Sequence, residues 1–458
     1  MTDLTIKKQG ESRSSVFRRS FRKEFPAAVR GEGVYVWDSA GNKYLDLAGS
    51  AAVNLIGHGV PEISSAMAEQ AGKLEFVHTS QFTTPIAEEY AGELLAFAGK
   101  DFEGAAVYFT CGGSESVETA LKLARQYQVE IGQSQRHQIL SRHQSYHGST
   151  LGALSVSGNK RRREIYLPMV REFPHIGVPY CYRCAFDCTD GCHNCGQQYA
   201  AELKRAIENA NGEAAAFIFE PVSGATLGAV VPPPGYLQSI AEICRESGLL
   251  LIADEVMTGM GRAGRNFAAE HWDVKPDILV TAKGLSSGYA PLGAVIASRK
   301  VVNAIAAGSG AFLHGFTYNA HPISLAAGSA VLRYLQTRKL VEAADSSRSG
   351  TPAAFFKAAL ETLRDEKSVG DVRGIGLLWG IEFVADKSTR RPFQPARGFS
   401  TRVAAAALKH GLLVYPMQGS IDGTSGDHIL LAPPAVITPD QLSWSLDQLT
   451  SAIREAQQ

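Results

Sequence analysis

The sequence has no excess of either charge, because its 45 lysines and arginines balance its 45 aspartates and glutamates. A broad surface for binding nucleic acid is therefore not expected. One local basic run, Lys160–Arg163, lies in a polar stretch and is interpreted as solvated surface in a loop. The composition thus gives no reason to expect a nucleic-acid partner.

Long apolar runs are also missing. No stretch approaches the roughly 18 residues that a membrane span needs, and the basic N-terminus lacks the apolar core of a secretory signal. We therefore expect a cytoplasmic protein without a membrane partner. Internal repeats and long low-complexity linkers are absent as well, and a chain of 458 residues is expected to form two domains.

Apolar runs alternate with helical patterns between about residue 60 and residue 300. The strand candidates are 105–110, 137–142, 214–220, 248–255, 277–282 and 293–298. Continuous apolar runs between helices indicate a mostly parallel sheet that is covered on both faces. Near the N-terminus, residues 31–50 alternate around a turn signal and predict a small hairpin.

Polar residues follow five of these runs, where ligands of parallel sheets bind. They are residues 111–114, 146–148, Glu220, 254–255 and Lys283. Because the carboxyl ends of parallel strands share one edge of a sheet, we expect these residues to form a single polar site.

A glycine-rich turn follows the first run and opens a helical pattern. Ser114 is expected to be the N-cap and Glu118 to support the first turn. Gly112 and Gly113 would let backbone N–H groups approach an anion such as a phosphate at the start of the helix. A Gly-Gly-Ser turn alone is more often only a turn, and no P-loop lysine follows it.

Asp254 and Lys283 end two buried runs, where a charged group needs a partner. Asp254 could be a helix cap, a metal ligand or the partner of a protonated ring nitrogen, in which case Val256 would face the ring. Desolvation would lower the pKa of Lys283 and free its amine as a nucleophile. The alternative for Lys283 is phosphate binding or a solvated ammonium group.

Taken together, the anion cradle, the acid and the lysine fit one cofactor, pyridoxal phosphate. The lysine would hold the aldehyde as an imine, the acid would keep the ring nitrogen protonated, and the cradle would bind the phosphate.

With these motifs the sequence resembles the class III (omega) aminotransferases, which are pyridoxal-phosphate enzymes of fold type I. The matching segments include "CGGSESVETALKLAR", "SYHGST", "FEPVSGA", "LIADEVMTGMGRAG", "TAKGLSSGYAPLGA" and "HGFTYNAHP". The resemblance covers nearly the whole chain. It implies an α/β fold: a large domain with a mostly parallel seven-stranded sheet, plus a smaller α+β domain. We expect the large domain at 59–328 and the small domain at 329–458 together with the N-terminal segment 1–58.

The resemblance also implies the roles of individual residues. Lys283 and Asp254 are the expected catalytic residues: Lys283 forms the imine and moves protons, and Asp254 pairs with the ring nitrogen. Tyr146 stacks on the ring. Thr317 contacts the phosphate of the other subunit's cofactor, which implies a homodimer with shared active sites. The full set of expected cofactor-binding residues is Gly113, Ser114, Tyr146, His147, Glu220, Asp254, Val256, Lys283 and Thr317.

Two departures from the family pattern concern the ring hydroxyl and the substrate carboxylate. Met257 stands where many relatives have a glutamine that reaches the ring hydroxyl. Many relatives also bind a keto-acid carboxylate with a C-terminal arginine, but no arginine lies between Tyr415 and Pro434. Glu220, which pairs with that arginine in some relatives, is left to bind an amine or hydroxyl of the substrate.

A cysteine cluster, "CYRCAFDCTDGCHNC", occupies residues 181–195. The two Cys-x-x-Cys pairs, Cys181 with Cys184 and Cys192 with Cys195, would suit a structural zinc ion, although their spacing is tighter than in most zinc ribbons. A loop of reduced thiols is the alternative, and no metal ligand is assigned. A disulfide is not expected in a cytoplasmic enzyme.

The expected function is therefore pyridoxal-phosphate-dependent aminotransfer by a ping-pong mechanism. The donor would be an omega-amino acid or a primary amine, and the acceptor a keto acid, an aldehyde or a ketone. A decarboxylase or an aminomutase of the same fold would share the cofactor residues and stays open as an alternative. A non-enzymatic metal-binding protein built around the cysteine cluster is the alternative from another class.

Overall fold

A computed structural model describes residues 14–186 and 194–458. Its strands are, in chain order, β1 (Ala28–Glu32), β2 (Tyr35–Asp38), β3 (Lys43–Asp46), β4 (Ala106–Thr110), β5 (Gln138–Arg142), β6 (His175–Ile176), β7 (Ala214–Phe219), β8 (Leu250–Asp254), β9 (Ile278–Thr281), β10 (Gly293–Ala297), β11 (Val369–Ile375), β12 (Leu378–Phe383), β13 (Leu412–Leu413), β14 (Tyr415–Gln418) and β15 (Asp427–Leu431).

The α-helices of these described residues are α1 (Gly49–Ala52), α2 (Pro61–Lys73), α3 (Pro85–Ala98), α4 (Gly113–Glu130), α5 (Leu151–Val156), α6 (Lys160–Arg163), α7 (Cys195–Asn209), α8 (Tyr236–Ser247), α9 (Arg299–Ala307), α10 (Pro322–Thr337), α11 (Leu340–Ala343), α12 (Pro352–Glu361), α13 (Phe399–Lys409) and α14 (Pro439–Gln457). Crossing a membrane takes a longer or more apolar helix than any found in this described part of the chain.

Seven strands form the central sheet in the spatial order β4, β10, β9, β8, β7, β5, β6. The neighbours from β9 to β6 run parallel, whereas β10 is antiparallel to both β4 and β9. All six predicted runs are strands of this sheet, which confirms the mostly parallel α/β fold. The strand β6 was not predicted, because two residues are too few to show a pattern.

The central strands send alternate side chains into two apolar layers. Ile252 and Val280 belong to the layer that contains residues of α4 and α9. Phe217 and Leu251 belong to the opposite layer, which contains residues of α7 and α8. The sheet is therefore covered on both faces, and only the ends of its strands are open to a ligand.

Two smaller sheets have the orders β1-β2-β3-β13 and β11-β12-β15-β14. The antiparallel pair β2 and β3 is the predicted hairpin, with Tyr35 opposite Leu45. The late strand β13 adds parallel to β3, with Leu412 beside Leu45. This pairing joins the N-terminal segment to the C-terminal part of the chain. The domain boundaries after residues 58 and 328 stay a prediction.

Arg262 is a buried cation that links three distant segments. Its guanidinium donates to the carbonyl oxygens of Asn54 at 2.8 Å, of Ala432 at 3.0 Å and of Pro433. Burial lowers the pKa of Arg262 to about 10, although the charge of Asp46 opposes the shift. Buried peptide carbonyls need hydrogen-bond donors, so this one side chain stabilises the contact between the N-terminal and C-terminal segments.

Replacing Arg262 by methionine should leave these three carbonyls without their donor. We expect R262M to lower the free energy of unfolding by about 3–5 kcal/mol, measured by urea denaturation. The control is R265M, because Arg265 forms a partly exposed ion pair with Asp345 at 2.7 Å and its loss should cost less than about 1 kcal/mol. Equal urea midpoints for the two variants would contradict the structural role of Arg262.

Candidate active site

The carboxyl ends of the central strands surround a cavity of about 460 Å³. The lining contains eight of the nine predicted cofactor-binding residues, namely Gly113, Ser114, Tyr146, His147, Glu220, Asp254, Val256 and Lys283. The ninth, Thr317, is exposed on the surface of this single chain. Apolar residues that the sequence did not single out complete the wall, among them Val53, Val222, Pro291 and Leu292. They shape the cavity but carry no chemistry, so no sequence signal marks them.

Lys283 lies two residues after the end of β9 and reaches the cavity from the end of this buried strand. Its backbone has a φ of 44°, a left-handed conformation that is strained for a side chain of this kind and often occurs at functional sites. Burial lowers the pKa of Lys283 to about 8, with the charges of Asp254 and Glu220 acting in the opposite direction. The neutral, nucleophilic fraction of this amine near physiological pH is therefore much larger than in an ordinary exposed lysine, although most of it is still protonated.

Asp254 ends β8, the strand next to β9, and its two oxygens are held in place. One oxygen accepts a hydrogen bond from Nδ1 of His147 at 2.7 Å, and the other accepts from the backbone N–H of Val256 at 3.1 Å. Both side chains of the His147–Asp254 pair are buried. The pair fixes the carboxyl group of Asp254 inside the cavity, where it suits a cationic ring nitrogen.

The helix α4 begins at the cavity, but its cap differs from the prediction. Its N-cap is Gly112 rather than Ser114, and the extended backbone of Gly112 provides no side-chain cap. Glu115 accepts from the backbone N–H of Cys111 at 2.9 Å, while Glu118 accepts from the backbone N–H of Ala153 at 3.0 Å instead of supporting the first turn. The helix start therefore presents backbone N–H groups and the Ser114 side chain to the cavity.

Two glycines allow the close packing around this helix start. A Cβ atom on Gly113 would come within 3.0 Å of a methyl group of Val256. Gly148 has a φ of 143°, and a Cβ atom there would lie 2.7 Å from Oγ of Ser114. The Ser114 hydroxyl accepts a hydrogen bond from the backbone N–H of Ser149 at 3.0 Å. This packing fixes the start of α4 against the residues that follow β5.

The two glutamates at the strand ends have different surroundings. Glu220 lines the cavity, and its carboxylate accepts from the backbone N–H groups of Gly224 at 2.9 Å and Tyr146 at 3.4 Å. Burial raises the pKa of Glu220. Glu255 instead points away from the cavity and accepts from the backbone N–H of Ala269 at 2.7 Å, so it supports the loop after β8 rather than the site.

The basic run Lys160–Arg163 was interpreted as a solvated loop, and this interpretation is wrong for Arg162. The run forms the short helix α6, and the guanidinium carbon of Arg162 lies 4.3 Å from the centre of the Tyr146 ring. Because Tyr146 lines the cavity, Arg162 belongs to the surroundings of the site. The sequence could not reveal this contact, since tertiary packing alone brings α6 to Tyr146.

The cysteine cluster lies only partly in the described chain. Cys181, Cys184 and Cys195 are described, whereas Cys192, the fourth proposed zinc ligand, lies outside the described residues. Within residues 14–186 and 194–458 no group of three or more histidine, cysteine or acidic side chains is arranged to hold a metal ion. The structural zinc therefore stays an untested hypothesis.

The residues of the cavity fit pyridoxal phosphate. Lys283 supplies an amine of lowered pKa, and Asp254 supplies a buried carboxylate. The start of the 18-residue helix α4 supplies N–H groups for a phosphate. Met257 lines the same cavity without a donor for the ring hydroxyl, as expected from the sequence.

Comparison with known proteins supports the fit of these cavity residues to pyridoxal phosphate. The chain matches the family model of the class-III aminotransferases over residues 18–453. The uncharacterized aminotransferase YodT of Bacillus subtilis (strain 168) is 40% identical over 430 residues, which are 94% of this chain and 95% of YodT.

Two solved structures extend the comparison to the fold. An (S)-enantioselective omega-transaminase from Thermomicrobium roseum has a TM-score of 0.88 and 36% identity, covering 95% of this chain and 94% of that one. An amine transaminase from an uncultivated Pseudomonas species, solved in its PLP-bound internal aldimine form, has a TM-score of 0.88 and 33% identity, covering 98% and 99%. The chain therefore belongs to the class III aminotransferases, pyridoxal-phosphate-dependent enzymes that transfer an amino group from an amine donor to a carbonyl acceptor.

Proposed function

We propose that this aminotransferase takes an omega-amino acid or a primary amine as donor and a keto acid, an aldehyde or a ketone as acceptor. The two substrates would react in turn, by a ping-pong mechanism. The observation that carries the proposal is the placement of the Lys283 amine, with its lowered pKa, in one cavity with the His147–Asp254 pair. A cytoplasmic location and the absence of a nucleic-acid partner stay predictions from the sequence.

Lys283 and Asp254 are the proposed catalytic residues. When bound, pyridoxal phosphate supplies an electrophilic aldehyde and a ring that accepts electrons. Lys283 would hold the aldehyde. Once displaced by the donor amine, it would take a proton from the substrate carbon and return it to the cofactor carbon. A pKa of about 8 suits both directions of this transfer near neutral pH. Asp254 would keep the ring nitrogen protonated, and His147 positions Asp254.

The other cavity residues would hold the cofactor in place. Gly113 and Ser114 would bind its phosphate at the start of α4, and Tyr146 and Val256 would contact the two faces of its ring. All four residues line the cavity. Glu220 is the proposed contact for a substrate amine or hydroxyl, because its carboxylate faces the cavity and makes no ion pair with an arginine side chain in the described part of the chain.

We further propose a homodimer in which Thr317 reaches the cofactor phosphate of the partner subunit. Thr317 is exposed, and two apolar neighbours in the same segment are exposed as well, Leu313 at 80% and Tyr318 at 57% of their surface. A surface segment with several exposed large apolar side chains is typical of a protein interface. A second copy of the chain is the proposed partner.

The lowered pKa of Lys283 predicts a pH-dependent stability of the cofactor-free protein. Its folded-state value, about 8, lies below its ordinary value of 10.5, so the unfolded chain binds more protons between these pH values and stability rises with pH across this window. K283M removes the buried charge, so at about pH 7 it should unfold at a higher urea concentration than the wild type. This difference should shrink from pH 8 to pH 10.5.

K300M is the matched control for the stability experiment, because Lys300 is exposed and pairs with Asp277 at 3.1 Å. K300M should not show a gain in stability over the wild type that decreases between pH 8 and pH 10.5. A stability difference between K283M and the wild type that does not change with pH would refute the lowered pKa.

Loss of the Lys283 amine should abolish turnover. We expect K283A to lower kcat by at least ~1000-fold in a screen of amine donors against carbonyl acceptors, since Lys283 is the only lysine among the described residues that line the cavity. K300A should keep the wild-type rate. Turnover by K283A at the wild-type rate would refute the assignment of Lys283. Carbon dioxide release by the wild type would instead identify a decarboxylase, and turnover without an acceptor would identify an aminomutase.

Shared active sites predict complementation between two inactive variants. T317D would place a carboxylate beside the partner's phosphate, and K283A lacks the amine. In a hybrid dimer one site carries both changes, while the other combines an intact Lys283 with an intact Thr317. Mixed subunits of K283A and T317D should therefore regain activity that neither parent shows. Mixtures of K283A and K283M should stay inactive, and failure of the first mixture to recover, with hybrid dimers demonstrated, would contradict the shared site.

A further inference from the structure

Arg162 is held beside the active-site cavity by two contacts. Its guanidinium carbon lies 4.3 Å from the centre of the Tyr146 ring, and its backbone N–H donates to the side-chain oxygen of Asn159 at 3.2 Å. The second contact caps the helix α6 and fixes its start. The first contact places a permanent positive charge on a ring that lines the cavity.

The same arginine lines a second cavity of about 420 Å³. Its lining residues are Asn159, Arg161, Arg162, Thr401, Pro416, Met417 and Gln418. The wall opposite α6 is thus formed partly by β14, which belongs to the arginine-free segment between Tyr415 and Pro434. A Cβ atom on Gly423, in the same segment, would lie 3.0 Å from Lys160. The helix α6 therefore brings its arginines to a segment that has none.

The charge of Arg162 is not neutralised within the described chain. No carboxylate of the described residues lies within ion-pair distance of Arg162, whose contacts are the Tyr146 ring and Asn159. The charge of Arg162 also acts on Lys283 in the first cavity. Burial is the main cause of the lowered pKa of Lys283, and the positive charge of Arg162 adds to it. A partly buried guanidinium without an acidic partner is suited to bind an incoming carboxylate in a bidentate manner.

We propose that Arg162 binds the distal carboxylate of the amine donor, so that the enzyme prefers omega-amino acids to simple primary amines. Arg162 lines the second cavity and not the one that contains Lys283. A carboxylate bound there would lie outside the cavity that contains Lys283, which fits a carboxylate remote from the amine. The inference rests on the proposed function and specifies its donor.

The test compares matched donors on the holoenzyme. Omega-amino acids from β-alanine to 6-aminohexanoate are paired with n-alkylamines of equal chain length, and kcat/KM of the donor half-reaction is measured for each. R162Q should lower kcat/KM for the preferred omega-amino acid by about 10- to 100-fold more than kcat/KM for the matched alkylamine. R162K keeps the charge but loses the bidentate geometry, and should fall between R162Q and the wild type.

Two further measurements separate carboxylate binding from a general effect on Tyr146. Unreactive carboxylates such as butyrate and pentanoate should inhibit the wild type competitively against the donor, and R162Q should weaken this inhibition by the same factor. The control is R171Q, because Arg171 also lies over an aromatic ring, 5.2 Å from the centre of Phe173, and has no place in either cavity. It should leave both donor classes unchanged.

The outcomes distinguish this inference from the proposed function. Equal losses for both donor classes in R162Q, or unchanged kcat/KM for the omega-amino acids, would overturn the role of Arg162 while transamination itself stands. The role of Arg162 would also be overturned if the wild-type enzyme accepted alkylamines but no omega-amino acid as donor. If the wild type transfers an amino group from neither class, the proposed donors are wrong and the inference fails with them.

Discussion

The structure of the site depends on the desolvation of one amine. Lys283 follows a buried strand, and removal from water disfavours its charged form and brings its pKa to about 8. The charges of Asp254 and Glu220 act in the opposite direction and limit how far the pKa of Lys283 is lowered. This balance requires β8 and β9 to be parallel neighbours, with Asp254 beside Val280, so that both strands end at the same edge of the sheet.

The carboxylate that balances the amine must itself be held. Asp254 uses one oxygen for His147 and the other for the backbone of Val256, so one hydrogen bond joins the segment after β5 to the end of β8. The tight packing of Gly113 against Val256 then couples this pair to the start of α4. The amine, the acid and the start of α4 are therefore held in one packed arrangement, as a site that must orient a cofactor requires.

The sequence predicted the parts of this arrangement that lie at the ends of long apolar runs. Asp254 ends one buried strand and Lys283 comes shortly after another, so their positions could be derived from the apolar run and the polar residue at its end. The cap of α4 was mispredicted because the extended backbone of Gly112 starts the helix, and Ser114 then lies inside the first turn. Arg162 was missed because four basic residues in a row usually indicate a solvated surface.

The reacting residues and the residues around the second cavity also differ in what holds them in place. The reacting groups lie on the central sheet, where continuous burial fixes the strands and makes their sequence pattern strong. The groups around the second cavity come from α6, α13 and β14, short or peripheral elements whose positions are set by tertiary contacts. Such elements can change sequence without disturbing the sheet. The fold thus keeps the chemistry of amino-group transfer constant, while the choice of substrate depends on residues that must be located in three dimensions.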